Sequence, residues 1–212
     1  MKLQRCWALT RFPVQGIWYR AVNARRADTP LAYAHTATSP GRFHSGSEER
    51  PGIEVIYLTD DPQVTLYETR AVVGSPLPGK ANVPNPNPVA WTIFPITVEL
   101  LSVADLTRDS ELQIVDTSVQ ELTGDWEGYD HRPQHQDAPP PYFTHVPTQQ
   151  LAITLHQTGL FDGLMSYSAV DPRHRNLIVF PTALQKGSSL ACTDAGGAPH
   201  RLPPVPKRRR TK

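Results

Sequence analysis

Sulfur chemistry is nearly absent from this sequence. Its two cysteines, Cys6 and Cys192, stand far apart, which gives neither a metal-ligand spacing nor a disulfide framework and reads as a pair of reduced thiols. Long apolar runs are missing too. Nothing approaches the roughly 18 consecutive apolar residues of a membrane span, and the opening Met1-Lys2-Leu3-Gln4-Arg5-Cys6-Trp7 has no apolar signal-peptide core. Together these absences predict a cytoplasmic protein with no membrane partner. A net charge of +1 sets up no global field toward nucleic acid or an anionic surface. The sequence also lacks a glycine-rich phosphate loop, a His-Glu-x-x-His metal motif and a nucleophile elbow.

What is present is a globular composition with an excess of proline. Hydrophobic residues make up 39% and charged residues 19% of 212 residues, enough for a single packed core. The 22 prolines fall in bunches at 76–88, 139–141 and 199–206, and since proline donates no ladder hydrogen bond, these bunches mark loops and a tail. The expected organisation is one domain over residues 1–185 and a disordered Pro-, Lys- and Arg-rich tail over 186–212. The tail ends Lys207-Arg208-Arg209-Arg210-Thr211-Lys212; it could hold phosphates loosely, but no aromatic residue is interleaved, so a solvated tail without direct nucleic-acid binding is the expectation.

Periodicity and capping residues place the elements. Ile17–Ala21 reads as a short strand and Ile53–Leu58 as a buried one. A helix follows, capped by Asp60 or Asp61 with Pro62 at its first position, presenting Val64, Leu66, Tyr67 and Ala71 and stopping at Gly74. Trp91–Val103 reads as a strand that Pro95 assigns to an edge or a bulge. Residues 104–125 are ambiguous and partly helical, and 127–147 read as a loop. Thr148 is expected to cap a helix over Gln149–Thr158, with Leu151, Ala152 and Leu155 on one face and Gly159 as its stop. Short strands at Gly163–Ala169 and Leu177–Phe180 are joined by a turn over 171–176. Strands and helices mix without regular βαβ alternation, which predicts an α+β fold.

One ordered set of residues carries chemistry. Gly41-Arg42-Phe43-His44 forms a turn; Val55-Ile56-Tyr57-Leu58-Thr59-Asp60-Asp61-Pro62 ends a strand; Leu66-Tyr67-Glu68 lies on the next helix; Asp162-Gly163-Leu164-Met165-Ser166-Tyr167-Ser168 and Asn176-Leu177-Ile178-Val179-Phe180-Pro181 close the pattern. Taken singly, Arg42 is a loop cation, Glu68 a surface carboxylate, Ser168 a strand residue, Tyr57 a core aromatic and Arg20 half of a salt bridge. Taken in order, they resemble the RES domain family, named for an arginine, a glutamate and a serine that fall here on Arg42, Glu68 and Ser168. Trp18-Tyr19-Arg20 and Leu122-Thr123-Gly124-Asp125-Trp126 resemble further family segments. His44 stands where an asparagine is usual, and the loop between Arg42 and Tyr57 is long.

The resemblance implies a single mixed α/β domain similar to the ADP-ribosyltransferase fold, and consumption of NAD as substrate with no bound cofactor. It implies Glu68, Arg42 and Ser168 as catalytic residues and Arg20, Tyr57, Tyr19 and His44 as NAD contacts. Its biological implication is the toxin of a toxin–antitoxin pair, blocked by an Xre-type antitoxin. Hydrolysis and phosphorolysis of the nicotinamide–ribose bond, ADP-ribosyl transfer to a protein and a non-catalytic binding module all stay open, as does a homo-oligomer. No metal is expected: His131, His135 and His145 share a polar loop, but no carboxylate or cysteine spacing accompanies them.

Overall fold

Strand-forming residues dominate the chain, and the longest two strands pair along almost their whole length. The computed structural model describes residues 1–69, 72–73, 83–84, 90–126 and 146–204. A 3₁₀ turn, Leu3–Ala8, leads into strand β1, Arg11–Asn23. Then come β2 (Ile56–Thr59), helix α1 (Pro62–Glu68), a small hairpin of β3 (Val72–Val73) and β4 (Val83–Pro84), and β5 (Trp91–Asp105). Helices α2 (Asp109–Val115), α3 (Val119–Thr123) and α4 (Pro147–Thr158) precede β6 (Gly163–Tyr167), β7 (Arg175–Val179), β8 (Ser189–Thr193) and β9 (Pro199–Leu202).

The main sheet has seven strands in the order β1-β2-β7-β6-β5-β8-β9, and β1 also pairs with β5. The extra pairing closes β1-β2-β7-β6-β5 into a ring. Strand β5 allows this because it is long: one edge follows β1 from Trp91 to Ala104, while the other meets β8 at Thr97–Glu99 and β6 at Val103–Asp105. Only the β5–β6 pairing is parallel among the main-sheet pairs described. Alternation along the strands then sorts side chains to two faces. Trp18, Ile56, Leu58, Ile96, Val98 and Leu177 pack together on one. Leu106, Leu112, Leu151, Leu155, Leu164 and Ile178 pack on the other, beneath the helices. Each such side chain contributes about 1.5–3 kcal/mol by leaving water, so the buried Leu151 and Leu155 dock α4.

Asp162 and Gly163 join β6 to this frame. Asp162 is fully buried. Its Oδ2 accepts from the backbone N–H groups of Leu101 (3.0 Å) and Ser102 (2.9 Å) and from Ser188 Oγ (2.7 Å), and its Oδ1 from Gln185 N–H (2.6 Å). A Cβ on Gly163 would lie 2.2 Å from the Ile178 carbonyl oxygen of β7, so the strands approach closely only because that residue is glycine. The Asp-Gly pair is therefore architectural.

Several expectations need correction. Residues 186–204 are not a tail. Leu190 and Leu202 are buried, and β8 and β9 extend the sheet from β5. The glycines there serve turns: Gly187 and Gly197 have φ of 103° and 86°, and Asp194 accepts from Gly196 and Ala198 N–H to close the β8–β9 turn. Residues 205–212, with the basic run, lie outside the described residues. The strand predicted at Ile17–Ala21 is much longer, because β5 pairs with it from Arg11 to Asn23. Pro95 sits opposite Tyr19 of β1 and beyond the Thr97–Glu99 register with β8, so on the β8 side no paired strand among the described residues calls for an N–H there. Helix α1 ends at Glu68, before the expected stop at Gly74, a residue outside the described set. Thr148 does not cap α4: Val146 is the N-cap residue, and the Thr148 hydroxyl bonds elsewhere. Gly159 does end α4, with φ of 65°. The α+β class holds. No helix among the described residues is long and apolar enough to cross a membrane.

Candidate active site

The site is assembled from α1, the β6–β7 hairpin and the Gly41–His44 turn. Asp61 starts α1 by accepting from Gln63 N–H at 2.7 Å and Val64 N–H at 3.0 Å, which satisfies donors that a helix leaves unpaired. With Pro62 in its first turn and only seven residues, the helix delivers Glu68 at its last position. The hairpin turn is tied to the segment before α1 by Asp60, whose Oδ1 bonds His174 Nδ1 and Arg175 N–H, each at 3.1 Å.

Cross-strand register defines the working face. Tyr19 lies opposite Thr59, Thr59 opposite Asn176, and Asn176 opposite Ser166. Residues opposite one another share a face, so Tyr19, Thr59, Asn176 and Ser166 form one row, with Tyr57 two residues along β2 on the same side. Arg20 points to the other face. It is 8% exposed, and its Nη1 and Nη2 donate to the carbonyls of Pro30 and Ala32, each at 2.8 Å. Burial holds its pKa down at about 10, with Cys192 opposing. Of the expected NAD contacts, Arg20 is the one that the structure commits to holding a loop.

Glu68 and Ser168 do meet. Ser168 is fully buried, and its Oγ accepts from Val170 N–H (3.3 Å) and Asp171 N–H (3.2 Å). Those N–H groups can only donate, so the hydroxyl proton is left for Glu68 Oε1, 2.6 Å away. The same Oε1 accepts from Asn176 Nδ2 at 2.7 Å. No hydrogen bond to Oε2 is found among the described residues. Asn176 was not among the residues expected from the sequence, where it reads as the end of a turn. The available signal was a lone amide at the head of the otherwise apolar run Leu177-Ile178-Val179, across the hairpin from a serine. Its Oδ1 is buried and unpaired, a cost of about 1–3 kcal/mol for such a group.

The Arg42 turn is built with equal economy. A Cβ on Gly41 would strike the His44 ring at 2.2 Å, so only glycine lets the turn close. The Arg42 carbonyl accepts from Thr148 Oγ1 at 2.6 Å and the Gly41 carbonyl from Gln149 Nε2 at 2.9 Å; α4 thus grips the turn by its own first residues. The Arg42 guanidinium donates to the carbonyls of Gly124 and Leu122, which gives the Leu122–Trp126 segment its role. A cavity of about 140 Å³ lies beside these groups, lined by Gln120, Glu121, Gly124, Asp125, Trp126, Val146, Pro147 and Thr148.

Tyr57 links the two halves. Its oxygen accepts from Phe43 N–H at 3.0 Å and lies 3.0 Å from His44 Nδ1. Burial holds His44 down at about 4, against a bond to the Ser39 carbonyl and with His35 nearby. His44 is therefore neutral near pH 7. A neutral ring has one protonated nitrogen, and the tautomer sets which of Tyr57 and His44 donates in the bond between them. Burial raises the Tyr57 hydroxyl pKa; the Phe43 N–H and Arg42 oppose this, and Glu68 adds to it. Arg42 and Glu68 thus both act on the one phenol. Among the described residues no group of three or more His, Cys, Asp or Glu could hold a metal; His131, His135 and His145 lie outside them.

Comparison with known proteins adds three findings. The model of the RES domain family matches residues 17–201. Comparison with curated proteins yields no match. Among solved structures, the fold is similar to a chain of the Mycobacterium tuberculosis MbcT–MbcA toxin–antitoxin complex, with a TM-score of 0.60 and 17% sequence identity, covering 94% of this chain and 91% of that one.

Proposed function

This chain belongs to the RES domain family, and on that premise we propose that it cleaves the bond between nicotinamide and ribose in NAD. The reading includes a role as toxin with an antitoxin partner of the Xre type, and it keeps the family's likeness to ADP-ribosyltransferases. The observation that carries it is the state of Glu68. One carboxylate oxygen is held by Ser168 and Asn176, and the other accepts no hydrogen bond among the described residues.

One carboxylate suits this reaction. An ordinary glycosidase uses two, since the leaving oxygen must be protonated. In NAD the nicotinamide is a pyridinium: the C–N bond breaks with its electron pair going to the ring nitrogen, and the base leaves neutral without a proton. Positive charge develops on the ribose as an oxocarbenium ion. A fixed anion beside it stabilises that charge more than the ground state. In the proposal Glu68 Oε2 faces the ribose, and Ser168 holds the carboxylate in place. Arg42 meets the diphosphate, whose oxygens suit a guanidinium. Tyr57, oriented by neutral His44, and Tyr19 on the same face meet the sugar or the base. Water adds its oxygen to the ribose carbon that nicotinamide leaves (C1″ of the ADP-ribose product) and releases a proton, or phosphate adds there directly.

Incubation of the purified protein with NAD, with and without phosphate, tests the reading. Release of nicotinamide supports it. ADP-ribose without phosphate and ADP-ribose 1″-phosphate with it separate hydrolysis from phosphorolysis, and NAD left intact in both contradicts the reading.

A further inference from the structure

Glu68 is poorly placed to hold itself still. It is the last residue of a short helix, and its side chain has rotatable bonds to spare. Asn176 is the opposite. It lies in β7, flanked in register by Thr59 of β2 and Ser166 of β6, and is 5% exposed. We propose that Asn176 is a positioning residue for the reaction: its amide N–H and the Ser168 hydroxyl lock Oε1 of Glu68, so that Oε2 is the oxygen presented to substrate. This rests on the reading of Glu68 given above.

The unpaired Oδ1 supports the assignment. A buried amide ordinarily satisfies both ends, and here one end is left without a partner. Turning the amide over would put its carbonyl against Oε1, acceptor on acceptor. The carboxylate therefore decides the orientation, and a local rule is broken where the site needs a donor. Ser168 and Asn176 also reach Oε1 from different elements, one from the turn after β6 and one from within β7. A carboxylate held by donors on two elements cannot swing with either alone.

The test is Asn176→Asp beside Asn176→Ala, with Glu68→Gln in parallel, each checked for folding by its melting temperature. In Asn176→Asp the amide donor is replaced by a carboxyl of nearly the same shape. While that carboxyl is protonated it donates to Glu68 and turnover persists. As pH rises the pair must carry two negative charges within hydrogen-bond distance, and turnover falls. The expected result is a loss of about tenfold or more between about pH 5.5 and about pH 8 that the wild type does not show. Asn176→Ala is expected to lower kcat by about tenfold while KM for NAD changes less than about threefold, because the lost contact acts through Glu68. It also removes the unpaired carbonyl, so it serves as the test even if the aspartate variant unfolds. An Asn176→Asp profile parallel to wild type, or wild-type kcat in Asn176→Ala while Glu68→Gln is inactive, would overturn the positioning role alone. Full turnover in Glu68→Gln would overturn the reading beneath it.

Discussion

Replacing Ser168 by alanine separates catalysis from folding at one atom. The hydroxyl makes one donated bond, 2.6 Å to Glu68 Oε1, and accepts longer ones from Val170 and Asp171 N–H at 3.3 and 3.2 Å. A hydrogen bond to a charged group is worth about 1.5–3 kcal/mol, which at 1.4 kcal/mol per decade is a factor of about 10–150 in rate. Asn176 still holds Oε1, so the lower part of that range, about 10–50-fold in kcat, is expected. The longer bonds between neutral groups predict a separate stability loss of about 1–2 kcal/mol. The assay is steady-state nicotinamide release at saturating NAD, paired with urea unfolding of the same preparation. A kcat within twofold of wild type would refute the argument, as would a rise in KM with kcat unchanged, since either means that Ser168 does not act through the carboxylate.

Other substitutions probe the remaining parts. Arg42→Lys should raise KM for NAD by about tenfold, because an ammonium does not reproduce the planar fork of a guanidinium; an unchanged KM would dismiss the diphosphate contact. Asp162→Asn should lower unfolding free energy by on the order of 3 kcal/mol in urea, since an amide nitrogen would face backbone donors; a loss under about 1 kcal/mol would deny Asp162 its anchoring role. His44 gives a pH signature. Its pKa is near 4 in the fold against 6.5 as a free side chain. The unfolded chain therefore binds this proton first as pH falls. His44 contributes full stability above about pH 6.5 and loses it between there and about pH 4, by up to about 3 kcal/mol. In His44→Asn that part of the slope should vanish; identical slopes between pH 7 and pH 4.5 in both proteins would exclude it.

Legibility followed the range of the forces involved. The first turn of α1 and the end of α4 are local matters, and Asp61, Pro62 and Gly159 announce them. Long-range pairing is not local. Nothing near Ile17 tells how far β1 extends, because its length is decided by β5 some 70 residues on, where Trp91 pairs with Asn23. Gly187 and Gly197 signal turns correctly, but Pro199 lies in β9, and whether the segments between turns join a sheet depends on a free edge of β5 that appears only after folding. At the site, order along the chain singled out Arg42, Glu68 and Ser168 as candidates, and Glu68 and Ser168 are in direct contact. Arg20 looked equivalent to Tyr19 in sequence, yet one residue of strand puts them on opposite faces. Asn176 escaped notice because its role is a contact between β7 and α1, 108 residues apart.

The measurement that bears most directly on the whole account is nicotinamide release from NAD by purified wild-type and Glu68→Gln proteins of equal thermal stability. The glutamine keeps the shape and removes the charge, so turnover should drop at least about 100-fold, the scale of losing one preorganised electrostatic group. Equal rates in the two proteins would contradict the claim that this carboxylate stabilises the ribose cation.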